Sequence, residues 1–99
     1  IFFKMEMLIL LILKQGDCYG YELAYSEEAE EGIIDIKMGT LYPILYKLAD
    51  DHCITGMEVG KDAEQKYLQA GAKGRSFAGN FAKALYSLGQ AIDLIMKGA

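Results

Sequence analysis

Two apolar series run through the last third of this chain at seven-residue spacing. They are Phe77, Ala84 and Ala91, and Phe81, Leu88 and Ile95, with Leu85 and Ile92 widening the stripe. Such a stripe predicts one long helix from about Ala72 onward. Gly74, Gly79 and Gly89 fall inside it, each costing about 1 kcal/mol relative to alanine, so packing has to hold the helix. With 99 residues in all, only one small domain stands behind it. A domain of that size leaves much apolar surface uncovered, a deficit commonly relieved by a metal, disulfides or oligomerisation. Cys18 and Cys53 form no CxxC pair, and His52 is the sole histidine, so no disulfide framework, metal site or cofactor is written here. Self-association remains, with the stripe as its surface. The expected division is a compact domain over 4–70 and a C-terminal dimerisation helix over 71–99.

Charge narrows the partners. The net charge is −4 and the isoelectric point about 4.9, which argues against an indiscriminate nucleic-acid binder. The acid is unevenly placed, however. Residues 1–35 carry two lysines against eight carboxylates, most of them between Glu22 and Glu31, whereas residues 36–75 carry six basic side chains against five acids. The middle of the chain is therefore free to meet a polyanion. An apolar content of 53% with 24% charged residues excludes a disordered chain. The dense apolar run Met5 to Leu13 is too short to span a bilayer, which takes roughly 20 residues. No small-x-small cleavage site follows it, and Lys14-Gln15-Gly16-Asp17 lacks the small residues expected before a lipidated Cys18. A cytoplasmic protein with reduced thiols and no membrane partner is expected. Because Ile1 is not a start methionine, the sequence reads as a fragment in which Ile1 to Phe3 are not expected to be native.

Residues 4–14 read as a first helix, apolar on nearly every side and so buried on more than one face. Gly16-Asp17 breaks it. Tyr19 to Glu31 reads as a second helix, with Tyr21, Leu23, Ala24 and Tyr25 facing inward, the glutamates solvated and Gly32 stopping it. Ile33 to Ile36 is a short β-type run. Gly39-Thr40 opens a third helix, with Thr40 as N-cap and Pro43 in the first turn, where its missing N–H breaks no bond. Leu41, Ile44, Leu45 and Leu48 follow at helical spacing, and Asp50-Asp51-His52 ends it. Ile54 to Val59 and Gln65 to Gln69 read as strands joined through Gly60-Lys61-Asp62, a β-hairpin.

Three helices followed by a hairpin, with the third helix short and amphipathic, is the order of a winged helix-turn-helix. The fold class expected is mainly α (α+β), such a domain with a long C-terminal dimerisation helix. Particular residues go further. Met7 to Leu13, then Gly16, then Cys18-Tyr19-Gly20-Tyr21-Glu22-Leu23, then Gly39-Thr40-Leu41-Tyr42-Pro43-Ile44-Leu45-Tyr46-Lys47-Leu48 resembles the PadR family of transcriptional regulators. The resemblance is close over residues 5–55 and looser afterwards. Family members usually carry two tyrosines and a leucine-threonine step where this chain has Lys66-Tyr67-Leu68-Gln69-Ala70-Gly71. The resemblance implies a homodimeric repressor that binds double-stranded DNA at a palindromic operator and, in many members, answers to a small aromatic effector.

The DNA-binding residues expected are Tyr19, Lys37, Thr40, Tyr42, Tyr46, Lys47, Lys61 and Lys66. Lys37 and Lys47 would neutralise phosphates, and Thr40, Tyr42 and Tyr46 would reach phosphates or base edges. Equally, one of the two tyrosines of the third helix would pack against the second helix. Tyr19 would use the N-terminus of the second helix against the backbone, while Tyr21 reads as core. Lys61 and Lys66 would be wing contacts, or simply a solvated hairpin tip. Phe77, Phe81 and Tyr86, with Met5, Met7 and Met96, would line an effector pocket between subunits; the plainer reading of the same residues is dimer core. Cys18 precedes a helix start that would lower its pKa and make it a redox sensor, against a plain buried apolar role.

Enzymatic chemistry has no inventory here. There is no second histidine, no metal-ligand cluster, no glycine-rich phosphate loop and no GxSxG, and the carboxylates of Glu27 to Glu31 read as a solvated face. The rival reading is a winged-helix interaction or ligand-sensing module that has lost DNA binding, favoured by the acidic balance and disfavoured by the intact Gly39 to Pro43 block.

Overall fold

The computed structural model describes residues 5–25, 34–57 and 66–98, with backbone alone at 24, 25, 34 and 35. Its elements in chain order are α1 (Met5–Gln15), β1 (Cys18–Tyr19), α2 (Gly20–Leu23), β2 (Ala24–Tyr25), β3 (Ile34–Lys37), α3 (Met38–Asp50), β4 (Ile54–Thr55), β5 (Tyr67–Ala70) and α4 (Ala72–Gly98). β5 lies between β1 and β4 in an antiparallel sheet, with Cys18 opposite Leu68 and Ile54 opposite Ala70. β2 and β3 form a separate parallel pair.

Helical spacing builds the core. Ile9, Leu10 and Leu13 of α1 meet Leu41, Leu45 and Leu48 of α3, Leu23 of α2 and Leu68 of β5. Each fully buried leucine or isoleucine contributes roughly 1.5–3 kcal/mol of transfer free energy. The remaining apolar residues of α1, Met5, Met7, Leu8, Leu11 and Ile12, are half-buried around this cluster, as expected of a helix that is apolar on nearly every side. α4 lies against α1 and buries Gly74, Ala78 and Phe81. At Gly74 a Cβ would collide with the carbonyl oxygen of Cys53 and come within 2.9 Å of Leu10 Cδ2, so the missing side chain is what lets α4 sit so close. At Gly56 the backbone is left-handed (φ 103°), and a Cβ there would strike the carbonyl of Tyr67.

Four sequence expectations are corrected. The second helix is far shorter: Tyr19 is in β1, α2 covers Gly20–Leu23, and Ala24–Tyr25 is a strand paired with β3. The expected continuation through 26–31 lies outside the described residues. Ala24 and Tyr25, assigned to an inward helical face by spacing, are taken instead by strand pairing. Thr40 is not the N-cap of α3. Lys37 is, in extended conformation (φ −74°, ψ 149°) and without a side-chain cap bond, which puts Thr40 one turn inside. Pro43 consequently lies beyond the first turn, where its missing N–H forgoes the bond to the Gly39 carbonyl. Finally, β4 covers Ile54–Thr55 and stops short of 56 and 57, because Gly56 turns the chain out of the ladder, while 58 and 59 of the expected strand lie outside the described residues. The hairpin turn at Gly60-Lys61-Asp62 lies outside the described residues.

The C-terminus of α3 closes on a Schellman arrangement. His52 stands in the left-handed region (φ 61°), its N–H donates to Ala49 O at 3.0 Å, and the Cys53 N–H donates to Leu48 O at 2.8 Å. α4 runs as expected, but its stripe divides. The first turns are held by α1, while every residue from Tyr86 to Gly98 is exposed, including Leu88, Ile92, Leu94, Ile95 and Met96.

Candidate nucleic-acid interface

α3 buries Leu41, Leu45 and Leu48, so its opposite face is fixed by the helical repeat. That face carries Gly39, Thr40, Pro43, Tyr46, Lys47 and Asp50, all exposed. Pro43 lies midway between Thr40 and Tyr46. Gly39 and Pro43, expected to open the helix and to fall in its first turn, are both on the outward stripe. The three-residue spacings on either side of Pro43 were the available signal.

The N-terminus of α3 is electrostatically incomplete. Lys37 is exposed at the N-cap, no acid lies in the first turn, and no side chain caps the cap residue. A helix N-terminus already carries about half a positive charge on its unpaired N–H groups, and a cation beside it adds to that. An anion such as a phosphate oxygen is the complementary group.

Tyr42 and Tyr46 stack, with ring centroids 5.0 Å apart and planes 19° from parallel. Tyr46 is half exposed and Tyr42 more enclosed. Lys66 departs from its expected place at a solvated wing tip: it is 3% exposed. Its Nζ lies 5.6 Å from the Tyr42 ring centroid and 5.5 Å from that of Tyr46. The burial follows the pleat of the strand that Lys66 enters, since Lys66 and Leu68 point in while Tyr67 and Gln69 point out. Lys61 lies outside the described residues. Lys47 is exposed but its Nζ is 3.5 Å from Glu6 Oε1 of α1, a pairing across 41 positions of sequence and worth about 0–1 kcal/mol.

Tyr19 belongs to a different surface. Its ring stacks on Tyr21 (5.7 Å between centroids) and meets Tyr67 edge-on at 4.9 Å. Tyr21 is itself half exposed rather than core. The Tyr19 N–H, expected to be available to a phosphate, donates to Glu22 Oε1 at 2.9 Å. This is the returning half of a capping box, and it puts a carboxylate where the phosphate was expected. The same acid bears on Cys18. Burial foremost, then Glu22 and Asp17, push that thiol up to about 11, the opposite of a thiolate-forming redox sensor. Cys18 is a buried apolar residue.

The three aromatic residues expected to line an effector pocket separate along α4. Phe81 is buried, Phe77 is partly exposed beneath Lys73 Nζ at 5.8 Å, and Tyr86 is 70% exposed. Nine residues apart, Phe77 and Tyr86 face opposite sides of the helix. Among the described residues no group of three or more His, Cys, Asp or Glu side chains is placed to hold a metal ion. Nor is any described helix long and apolar enough to cross a membrane.

Comparison with known proteins agrees with this architecture. The crystal structure of a PadR-like transcriptional regulator from Bacillus cereus superposes with a TM-score of 0.72 at 24% identity, covering 96% of this chain and 93% of that one. A PadR family transcription regulator from Clostridium difficile superposes at 0.63 with 22% identity, covering 92% and 96%. No curated protein matches the chain. The family profile of PadR-like transcriptional regulators matches residues 9–80, a span from α1 through the exposed face of α3 into the α1-packed turns of α4. The chain therefore belongs to the PadR-like family of transcriptional regulators, which are DNA-binding proteins and not enzymes.

Proposed function

We propose that this chain acts as a homodimeric repressor, with the outward face of α3 set in the major groove of a roughly palindromic operator. The carrying observation is that face: Thr40, Pro43 and Tyr46 in one stripe, led by an N-terminus whose N–H groups and Lys37 call for an anion. Thr40, Tyr42 and Tyr46 supply hydroxyls for phosphates or base edges, and Lys37 neutralises a phosphate. Lys47 contributes by leaving Glu6. Tyr19 makes its backbone contact through the phenol, its N–H being engaged. Lys61 and the wing complete the contact.

The exposed end of α4 supports the dimer. Ile92, Leu94, Ile95 and Met96 lie on the last two turns, a set that water disfavours and a second copy would cover. Two copies related by a two-fold axis place their α3 helices in successive major grooves, about 34 Å apart. A small aromatic effector bound between the α4 helices, against Phe77 or Tyr86, would alter that separation and release DNA. Phe81, being buried, would transmit the change rather than touch the effector.

The test is fluorescence anisotropy of the purified protein against a duplex selected from random sequence, beside a scrambled duplex, at low and near-physiological salt. Light scattering on the same sample gives the oligomeric state. Preferential binding by a dimer, weakening as salt rises, is the expected result. Equal binding to both duplexes would overturn the operator reading and leave an interaction module. A monomer at working concentration would overturn the dimer.

A further inference from the structure

We infer that Lys66 is a positioning residue that locks the Tyr42–Tyr46 pair of α3 from the base of the wing, and is not itself a phosphate contact. The inference rests on the operator reading proposed above. Lys66 is fixed at both ends. Its carbonyl oxygen accepts the Gly20 N–H at 2.9 Å, which ties its backbone to the start of α2. Its Nζ lies within the ~6 Å range of cation–π attraction of both rings, at 5.6 and 5.5 Å.

One ammonium shared by two rings does more than attract them. Stacked tyrosines four residues apart on a helix have other rotamers open to each ring separately. An ammonium that must face both rings selects the arrangement in which both point the same way. Burial strengthens this attraction, because a cation–π contact is stronger when the cation is removed from water. The same burial keeps the charge from DNA: for Lys66 to reach a phosphate it would have to leave both rings. Three parts of the domain, α2, α3 and the strand of the wing, thus meet at one residue, α2 through its carbonyl and α3 through its ammonium. The direction in which Tyr42 and Tyr46 present their phenols becomes a property of how the wing is seated.

The variants are Lys66→Met, which keeps the length and removes the charge, and Lys66→Arg, which keeps a cation able to lie over aromatic faces. Two readouts are taken. In the absence of DNA, NMR of the Tyr42 and Tyr46 rings should show both displaced in Lys66→Met and restored in Lys66→Arg. Unmoved rings in Lys66→Met overturn the inference whatever happens with DNA. With DNA, Lys66→Met should lose roughly tenfold in preference for the selected duplex over the scrambled one, while the dependence of log K on log salt keeps its slope. A phosphate contact would instead weaken both duplexes alike and reduce that slope by about 0.9; this result would overturn the inference and restore Lys66 to the backbone contacts. If the wild type itself prefers neither duplex, the operator reading has failed, and the ring spectra alone decide whether Lys66 holds the pair. Should Lys66→Met not fold, Lys66→Gln replaces it in both arms.

Discussion

Replacing Gly74 by alanine and, separately, Gly89 by alanine makes the same chemical change twice in one helix and should stabilise the protein only at Gly89. Alanine is favoured over glycine in a helix interior by about 1 kcal/mol, a gain available at both positions. Gly89 has nothing within 4 Å of the position a Cβ would take, so the gain stands alone. At Gly74 the Cβ meets the Cys53 carbonyl oxygen and Leu10 Cδ2 at 2.9 Å. The leucine methyl can shift, but the carbonyl cannot, because it accepts the Gly71 N–H at 2.9 Å. α4 must then lift from the segment that carries Cys53, an overpacking cost of about 1–3 kcal/mol in well-filled interiors. Such a cost cancels or exceeds the helical gain. The two variants should therefore differ by about 1–3 kcal/mol, or roughly 5–20 °C in melting temperature for a chain of this size. Thermal and urea unfolding at one fixed protein concentration measures it, since a dimer's apparent stability depends on concentration. Gly74→Ala as stable as Gly89→Ala would refute the close approach of α4 to the Cys53 carbonyl. A Gly89→Ala variant that is destabilised only when dilute would show that a second copy covers that face.

His52→Gly should stabilise the protein by about 0.5–1 kcal/mol, because the left-handed backbone at φ 61° carries a side-chain penalty that glycine lacks; unchanged urea unfolding would count against the Schellman closure of α3. Lys37→Asp should raise the melting temperature and weaken operator binding together, since aspartate is a good N-cap and a poor neighbour for phosphate; a variant that binds the selected duplex as tightly as wild type would remove Lys37 from the interface. Cys18, held protonated up to about 11, binds its proton more tightly when folded. Its contribution to stability is thus complete below the ordinary thiol pKa near 9 and is lost as pH rises from there through 11. Wild type should lose stability over that window more steeply than Cys18→Ala, and parallel curves would sink the assignment.

The parts of the fold legible in the sequence are those whose pattern is local. α1, α3 and α4 follow from apolar spacing within each segment, and β5 from alternation of Lys66, Tyr67, Leu68 and Gln69. The Gly39 to Leu48 block brought the family with it. The misreadings were settled by contacts between distant segments. Nothing near Lys47 in sequence indicates that Glu6 will meet it, and nothing near Lys66 places two rings of α3 above its ammonium. α2 was misjudged for a subtler reason. The apolar spacing of Tyr21, Leu23, Ala24 and Tyr25 suits a helix and an edge strand alike over so few residues, and pairing with Ile34–Lys37 decided between them.

The charges on α3 are arranged against the helix and in favour of a polyanion. A cation at the N-cap and carboxylates at the far end each oppose the macrodipole, by about 0.3–1 kcal/mol apiece. Lys37 stands at the first of these positions and Asp50 and Asp51 at the second. A sequence arranged for helix stability alone would reverse them. Lys37 strengthens the positive field where the outward stripe begins, while Lys47 in the last turn and Lys73, whose Nζ donates to the Asp51 carbonyl at 3.0 Å, offset the carboxylates where it ends. The same positive end resolves the difficulty of an acidic DNA-binding protein. A net charge of −4 repels DNA from most of the surface and weakens non-specific binding, which rests almost wholly on phosphate neutralisation. In the proposed complex, Lys37 and the N-terminus of α3 supply attraction where they meet the backbone. An acidic body with a positive end on α3 favours the approaches that bring that end to the duplex, so the net charge that counts against general affinity helps set the orientation.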